Sequence, residues 1–125
     1  MADFDDVRRI ALSLPDTSEE RSGQAFAVRN GGKQKAFAWV WLERIEPKKA
    51  RVPNPDVLGV RVASNDEKRA LIAVHPAKFF TEPHYNGYPA VLVRLDQVDE
   101  GELEALLVDG WRCQAPRSLV KRFDG

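Results

Sequence analysis

Most of the side chains able to do chemistry stand in one short stretch, Phe79-Phe80-Thr81-Glu82-Pro83-His84-Tyr85-Asn86-Gly87-Tyr88-Pro89. Its tip offers an imidazole, two phenols and a carboxamide. His84 is the residue type of a general base, but a base needs a nucleophile or an acid–base partner beside it, and only Glu82 is near. Two histidines in the whole chain cannot build a His-rich metal site, and Cys113, the one cysteine, excludes an internal disulfide and any thiolate cluster. The sequence therefore predicts no enzyme, no metal, no cofactor and no catalytic residue. His84, Tyr85, Asn86 and Tyr88 are read instead as a surface site. Two roles stay open: the tyrosines pack beside a sheet while His84 bonds a backbone carbonyl, or the tips meet a ligand.

The basic residues are the second group. Lys33 and Lys35 flank a predicted hairpin, Lys48, Lys49 and Arg51 sit in a predicted loop, and Arg112, Arg117, Lys121 and Arg122 close the chain with no acid among them. Converging on one face, they would neutralise several phosphates; dispersed, they are solvated surface charges. Gly31-Gly32 is a poor phosphate cradle, because a strand rather than a helix N-terminus follows it. Nothing has the spacing of a recognition helix or zinc finger. His75 reads as a helix-terminal residue, Cys113 as a plain thiol.

These groups need elements to hold them. Pro83 and Pro89 fix φ, and Asn86-Gly87 tolerates positive φ, so the organising turn is expected to be ordered. Phe4, Val7, Ile10, Ala11 and Leu14 recur at helical spacing, capped by Asp3 or Asp5 and ended by Pro15. Asp16 to Gly23 reads as a connecting loop. Ala25–Val28 is a strand, Asn30-Gly31-Gly32 a hairpin turn of two to five residues, and Ala36–Leu42 a central strand with Phe37, Trp39 and Trp41 sharing one face. That aromatic row fills a core or forms a binding platform. Pro47, Pro53 and Pro55 are expected to interrupt any ladder over 44–55. Residues 57–62 form the next strand, with Gly59 at a bulge or close approach. Ser64 and Glu67 form a capping box before a helix whose apolar side is Leu71, Ile72 and Val74. After the turn come the strand Ala90–Leu95, a helix from Asp99 bearing Leu103, Leu106, Leu107 and Trp111, and a short helical turn over 117–123.

A chain of 125 residues with 43% hydrophobic content suits one domain over 1–125. Acidic and basic side chains balance at 19 each, so no global field draws it to nucleic acid or membrane. The acidic start and the lack of a long apolar run predict a cytoplasmic protein that neither spans nor binds a membrane.

Val7-Arg8-Arg9-Ile10-Ala11-Leu12-Ser13-Leu14-Pro15, Gly32-Lys33, Phe79-Phe80-Thr81-Glu82-Pro83-His84-Tyr85, Gly87-Tyr88-Pro89 and Trp111 carry a likeness across nearly the whole length. On them the chain resembles the MmcQ/YjbR family of small bacterial proteins. The resemblance implies an α+β fold like that of secretion chaperones, a two-layer antiparallel sheet with helices packed on it in the order α-β(3)-α-β(2)-α. It also implies a cytoplasmic location and the family's description as DNA-binding. The expectation is thus weak DNA binding without sequence preference or catalysis. The alternative is a module that binds a protein or peptide, or itself, through the aromatic strand face or a sheet edge.

Overall fold

The computed structural model describes residues 1–21, 24–45 and 49–125. Helix α1 (Phe4–Ser13) starts at Asp3, whose carboxylate accepts from the Asp6 backbone N–H while the Asp6 carboxylate accepts from that of Asp3. Two donors that the first turn leaves without partners are thereby satisfied. Val7, Ile10 and Ala11 are buried on one face.

Six strands follow the chain as β1 (Thr17–Glu19), β2 (Ala25–Asn30), β3 (Lys33–Glu43), β4 (Val52–Arg61), β5 (Phe79–Phe80) and β6 (Ala90–Arg94). They form one antiparallel sheet in the order β1-β2-β3-β4-β6-β5. Helices α2 (Asn65–Val74), α3 (Glu100–Gln114) and α4 (Arg117–Asp124) complete an α+β architecture, with 3-10 turns at Pro83–Tyr85 and Leu95–Gln97. The expected fold class holds. The structure adds a short edge strand, β1, inside the segment read as a loop; Ser22 and Gly23 of that segment lie outside the described residues.

Period-two patterning sorts the sheet into two faces. Phe26, Ala38, Val60 and Val91 lie in register across four strands and Leu58, Val93 and Phe79 across three, and all belong to the buried cluster beneath the helices. α1 and α3 supply Val7, Ile10, Leu103, Leu107 and Trp111 to that cluster. Leu106 is only partly buried against it. The fully buried Trp111 indole donates to the Pro15 carbonyl at 3.0 Å, so the loop after α1 satisfies the one polar atom of the largest core side chain.

The shared face expected of Phe37, Trp39 and Trp41 is overturned by a bulge. Phe26 opposes Ala38 while Ala27 opposes Ala36, leaving Phe37 as an extra residue. An extra residue resets the alternation. Phe37 and Ala38 both enter the core, and Trp39 emerges on the opposite face in the row Ala25, Trp39, Gly59, Leu92, Phe80.

Prolines do not stop β4, contrary to expectation. Its residues 52–54 pair with β3, Pro53 opposite Leu42, while β6 covers only Val57–Arg61, so Pro53 and Pro55 lie where the other edge is open. A missing N–H costs no ladder bond on an open edge. Pro47 lies outside the described residues. The Gly31-Gly32 hairpin is of the shortest kind: φ is +61° and +83° and Asn30 pairs with Lys33. Positive φ at both central residues is the two-residue turn whose twist matches its strands. At α2 only half the capping box forms, since Ser64 Oγ accepts from the Glu67 N–H without a return bond. Val74 is exposed rather than part of an apolar side, and His75 is the C-cap, its N–H donating to the Leu71 carbonyl.

Candidate binding surfaces

The organising turn lies across the second face of the sheet. Pro83 opens the 3-10 turn, and the Tyr88 N–H then donates to the Tyr85 carbonyl at 3.1 Å across Asn86 (φ −62°, ψ 129°) and Gly87 (φ +79°). That is the pattern of a type II turn, whose third position needs positive φ. The Trp39 indole N–H donates to the Tyr85 hydroxyl at 2.9 Å. Trp39 has room because its neighbour is glycine: a Cβ on Gly59 would lie 2.2 Å from Trp39 Nε1. Sequence left Gly59 as a bulge or a close approach; the structure shows an approach, made by the Trp39 indole.

A second clamp comes from α2. Lys68, the buried residue of that helix, sends its ammonium to the Tyr85 carbonyl at 2.6 Å and the Tyr88 carbonyl at 3.1 Å. Asn65 adds a bond to the Gly87 carbonyl at 3.1 Å. Burial pushes the Lys68 amine below the usual lysine range. Burial likewise pushes the Tyr85 phenol up, with Glu82 adding to the rise and the Trp39 bond and Arg51 opposing it. Glu82 is held by Arg51 at 3.1 Å, and Arg51 also donates to the Leu42 carbonyl.

Two adjoining cavities share this framework. One, of about 280 Å³, has Ala25, Trp39, Val40 and Leu42 as apolar wall and Glu20, Arg51, His84 and Tyr85 as polar wall. The other, of about 300 Å³, is lined by Trp39, His84, Tyr85 and Tyr88. Tyr88 stands 6.4 Å from each of the Trp39 and Tyr85 rings, at 47° and 83° respectively. The exposed His84 ring lies 5.7 Å from that of Tyr85. Among the described residues His84 makes no hydrogen bond to a backbone carbonyl, one of the two roles the sequence leaves open for it. Asn86 is exposed at the turn's corner. Sequence reasoning missed Lys68, Glu20 and the partnering of Trp39 with Tyr85; an apolar-stripe search passes over a lysine by construction.

The basic residues fall into two separate groups. β3 runs from Lys33 to Glu43, about 33 Å at ~3.3 Å per residue if fully extended. Lys33 and Lys35 lie exposed at its first end, whereas Lys49 and Arg51 lie beyond its last, next to Val52 of β4. Lys48 lies outside the described residues. At the first end, Asn30 donates to the Gln114 carbonyl at 2.9 Å and the Gln114 carboxamide donates to the Ala36 carbonyl at 3.0 Å. These bonds tie the hairpin to the end of α3, bringing Lys33 and Lys35 to the same end of the molecule as Arg117. Arg117 and Lys121 line a groove of about 470 Å³ with Arg112, Ala115 and Val120, and Arg122 is exposed beside it. The sequence has no acid among these residues, but the fold brings one in from just beyond them: Asp124 takes both Arg112 terminal nitrogens, one at 3.0 Å.

Among the described residues no three His, Cys, Asp or Glu side chains stand together as a metal site, and no helix is long and apolar enough to cross a membrane. Burial pushes the Cys113 thiol up, away from the reactive thiolate.

A family model, YjbR, matches residues 12–113. Two relatives, uncharacterized proteins of Mycobacterium bovis and Mycobacterium tuberculosis, are each 40% identical over 129 residues, covering 98% of this chain and 96% of their own. A crystal structure of a Deinococcus radiodurans protein with the domain DUF419 is similar with a TM-score of 0.66 and 23% identity, over 89% of this chain and 77% of that one. At that identity the likeness is one of fold.

Proposed function

The chain belongs to the YjbR family, and from that premise we propose that it binds DNA weakly and without sequence preference, through the basic end of the molecule, and performs no catalysis. The observation that carries this reading is the pair of Gln114 bonds, which tie the hairpin bearing Lys33 and Lys35 to the end of α3, just before α4 with Arg117, Lys121 and Arg122 begins. Arg112 contributes little net charge because Asp124 holds it. Lysine and arginine tips on exposed backbone suit phosphates, and phosphate contacts position a protein without reading bases. The sequence around them has no recognition-helix or zinc-finger spacing. The non-enzymatic reading rests on the sequence, which supplies no nucleophile beside His84.

Electrophoretic mobility of duplex and single-stranded DNA at two salt concentrations tests the proposal. Affinity should fall steeply with salt and alike for unrelated sequences. Replacing Arg117, Lys121 and Arg122 by Ala should flatten the slope of log affinity against log salt by up to about 3, at roughly 0.9 per lost phosphate contact. Strong discrimination between sequences at moderate salt, or a slope untouched by the triple replacement, would defeat it. The alternative of strand addition at a sheet edge has little to work with, since β1 and β5 offer three and two residues.

A further inference from the structure

We propose that the cavity between Trp39, Tyr85 and Tyr88 is a site for an organic cation, an alkylammonium group presented by a small molecule or by a side chain. The rings of Trp39, His84, Tyr85 and Tyr88 line one cavity, and Tyr88 is inclined to Trp39 and Tyr85 by 47° and 83°, so an occupant meets aromatic surface from more than one direction. Aromatic faces carry negative quadrupole charge, and a cation within about 6 Å of several of them gains from each. Tyr88 already shows the chemistry. The Arg61 guanidinium lies 5.5 Å from its ring, and Arg61 is not among the residues lining the cavity.

In the lining of the two adjoining cavities Arg51 is paired with Glu82 at 3.1 Å and Glu20 is a further carboxylate, while the Lys68 ammonium and the Arg61 guanidinium stand outside that lining, on the Tyr85 and Tyr88 carbonyls and against the Tyr88 ring. The basic residues proposed to hold DNA lie at the far end of β3. Preorganisation is supplied by the framework. Trp39 Nε1 is fixed on the Tyr85 hydroxyl, and Lys68 fixes the carbonyls of Tyr85 and Tyr88, so little ring freedom is lost on binding. Lys68 spends its ammonium on those carbonyls rather than filling the cavity.

The test follows the Trp39 indole N–H and the tyrosine ring signals of the full chain by NMR during titration with choline. A saturable shift is expected. The neutral isostere 3,3-dimethyl-1-butanol should bind about tenfold more weakly, because only the charge differs. Tyr88→Leu should abolish the choline response, while Tyr88→Phe, which keeps the ring, should retain it with the remaining spectrum unchanged. Equal affinity of a trimethyl-lysine peptide and choline would identify the headgroup as sufficient, and much tighter binding of the peptide would identify a protein side chain as its source. The proposal is overturned if choline gives no saturable shift, if the neutral isostere binds as tightly, if a nucleoside monophosphate displaces choline from the rings, or if Tyr88→Phe loses as much as Tyr88→Leu.

Discussion

The aromatic turn and the basic end are built on opposite principles. In the turn, polar groups hold one another: indole on phenol, buried ammonium on two carbonyls, guanidinium on carboxylate. At the basic end, among the described residues, Arg112 is held by Asp124, and Lys33, Lys35, Arg117, Lys121 and Arg122 are exposed. The difference suits what each is proposed to recognise. A field acting on phosphates is long-ranged and tolerant of angle, whereas ring faces act only within a few ångströms and at set inclinations. Substitutions in the turn should therefore disturb stability and geometry together, and those at the basic end binding alone.

The largest effect should come from Gly59→Ala. The new methyl would stand 2.2 Å from Trp39 Nε1 and 2.6 Å from Cε2, so the indole must leave Tyr85. Overpacking with a lost hydrogen bond predicts destabilisation of about 2–3 kcal/mol, read from denaturant midpoints, and a displaced Trp39 signal. A stable variant with an unmoved indole would break the comparison at its firmest point. Lys68→Met should cost about 2 kcal/mol, since both carbonyls lose a charged donor although each keeps a backbone one. Faster amide exchange confined to residues 85–88 would sharpen the assignment of Lys68 as a clamp.

Tyr85→Phe removes only an acceptor and should cost about 1 kcal/mol. It carries a pH signature as well. Because the folded phenol is pushed above its ordinary value, the unfolded chain ionises first as pH rises. The contribution of Tyr85 is whole below the unfolded pKa of about 10 and is lost as pH climbs through the folded value, so the variant's alkaline stability loss should be the shallower. Least effect on stability is expected from the triple Ala replacement of Arg117, Lys121 and Arg122, whose melting midpoint should match the parent while salt-dependent DNA affinity falls. A parallel drop in stability would mean that these side chains also hold the fold.

Much of this architecture is legible in the chain because local rules and the fold agree. The helical spacing of Val7, Ile10 and Ala11, the Asp99–Glu102 capping box, the Gly31-Gly32 turn and the Val91-Leu92-Val93 strand each stand where patterning puts them. What patterning misreads are features decided by neighbours across the sheet. The bulge at Phe37 depends on β2, the tolerance of Pro53 and Pro55 on how far β6 reaches, and β1 on the pairing of Thr17, Ser18 and Glu19 with Phe26, Ala27 and Val28. The turn's side chains were visible as a group. Their partners were not, because Trp39 and Lys68 lie 46 and 17 residues from Tyr85, and no periodicity connects them.

The buried lysine has a kinetic consequence. Amine-acylating reagents need an uncharged, exposed nitrogen, and Lys68 Nζ is walled in by the turn it holds. It should be labelled only in the moments when residues 85–88 lift away from α2, while exposed amines such as Lys121 react from the closed molecule. The ratio of the two labelling rates then works as a clock for the lifting of this turn, and one that a ligand seated against Tyr88 would slow.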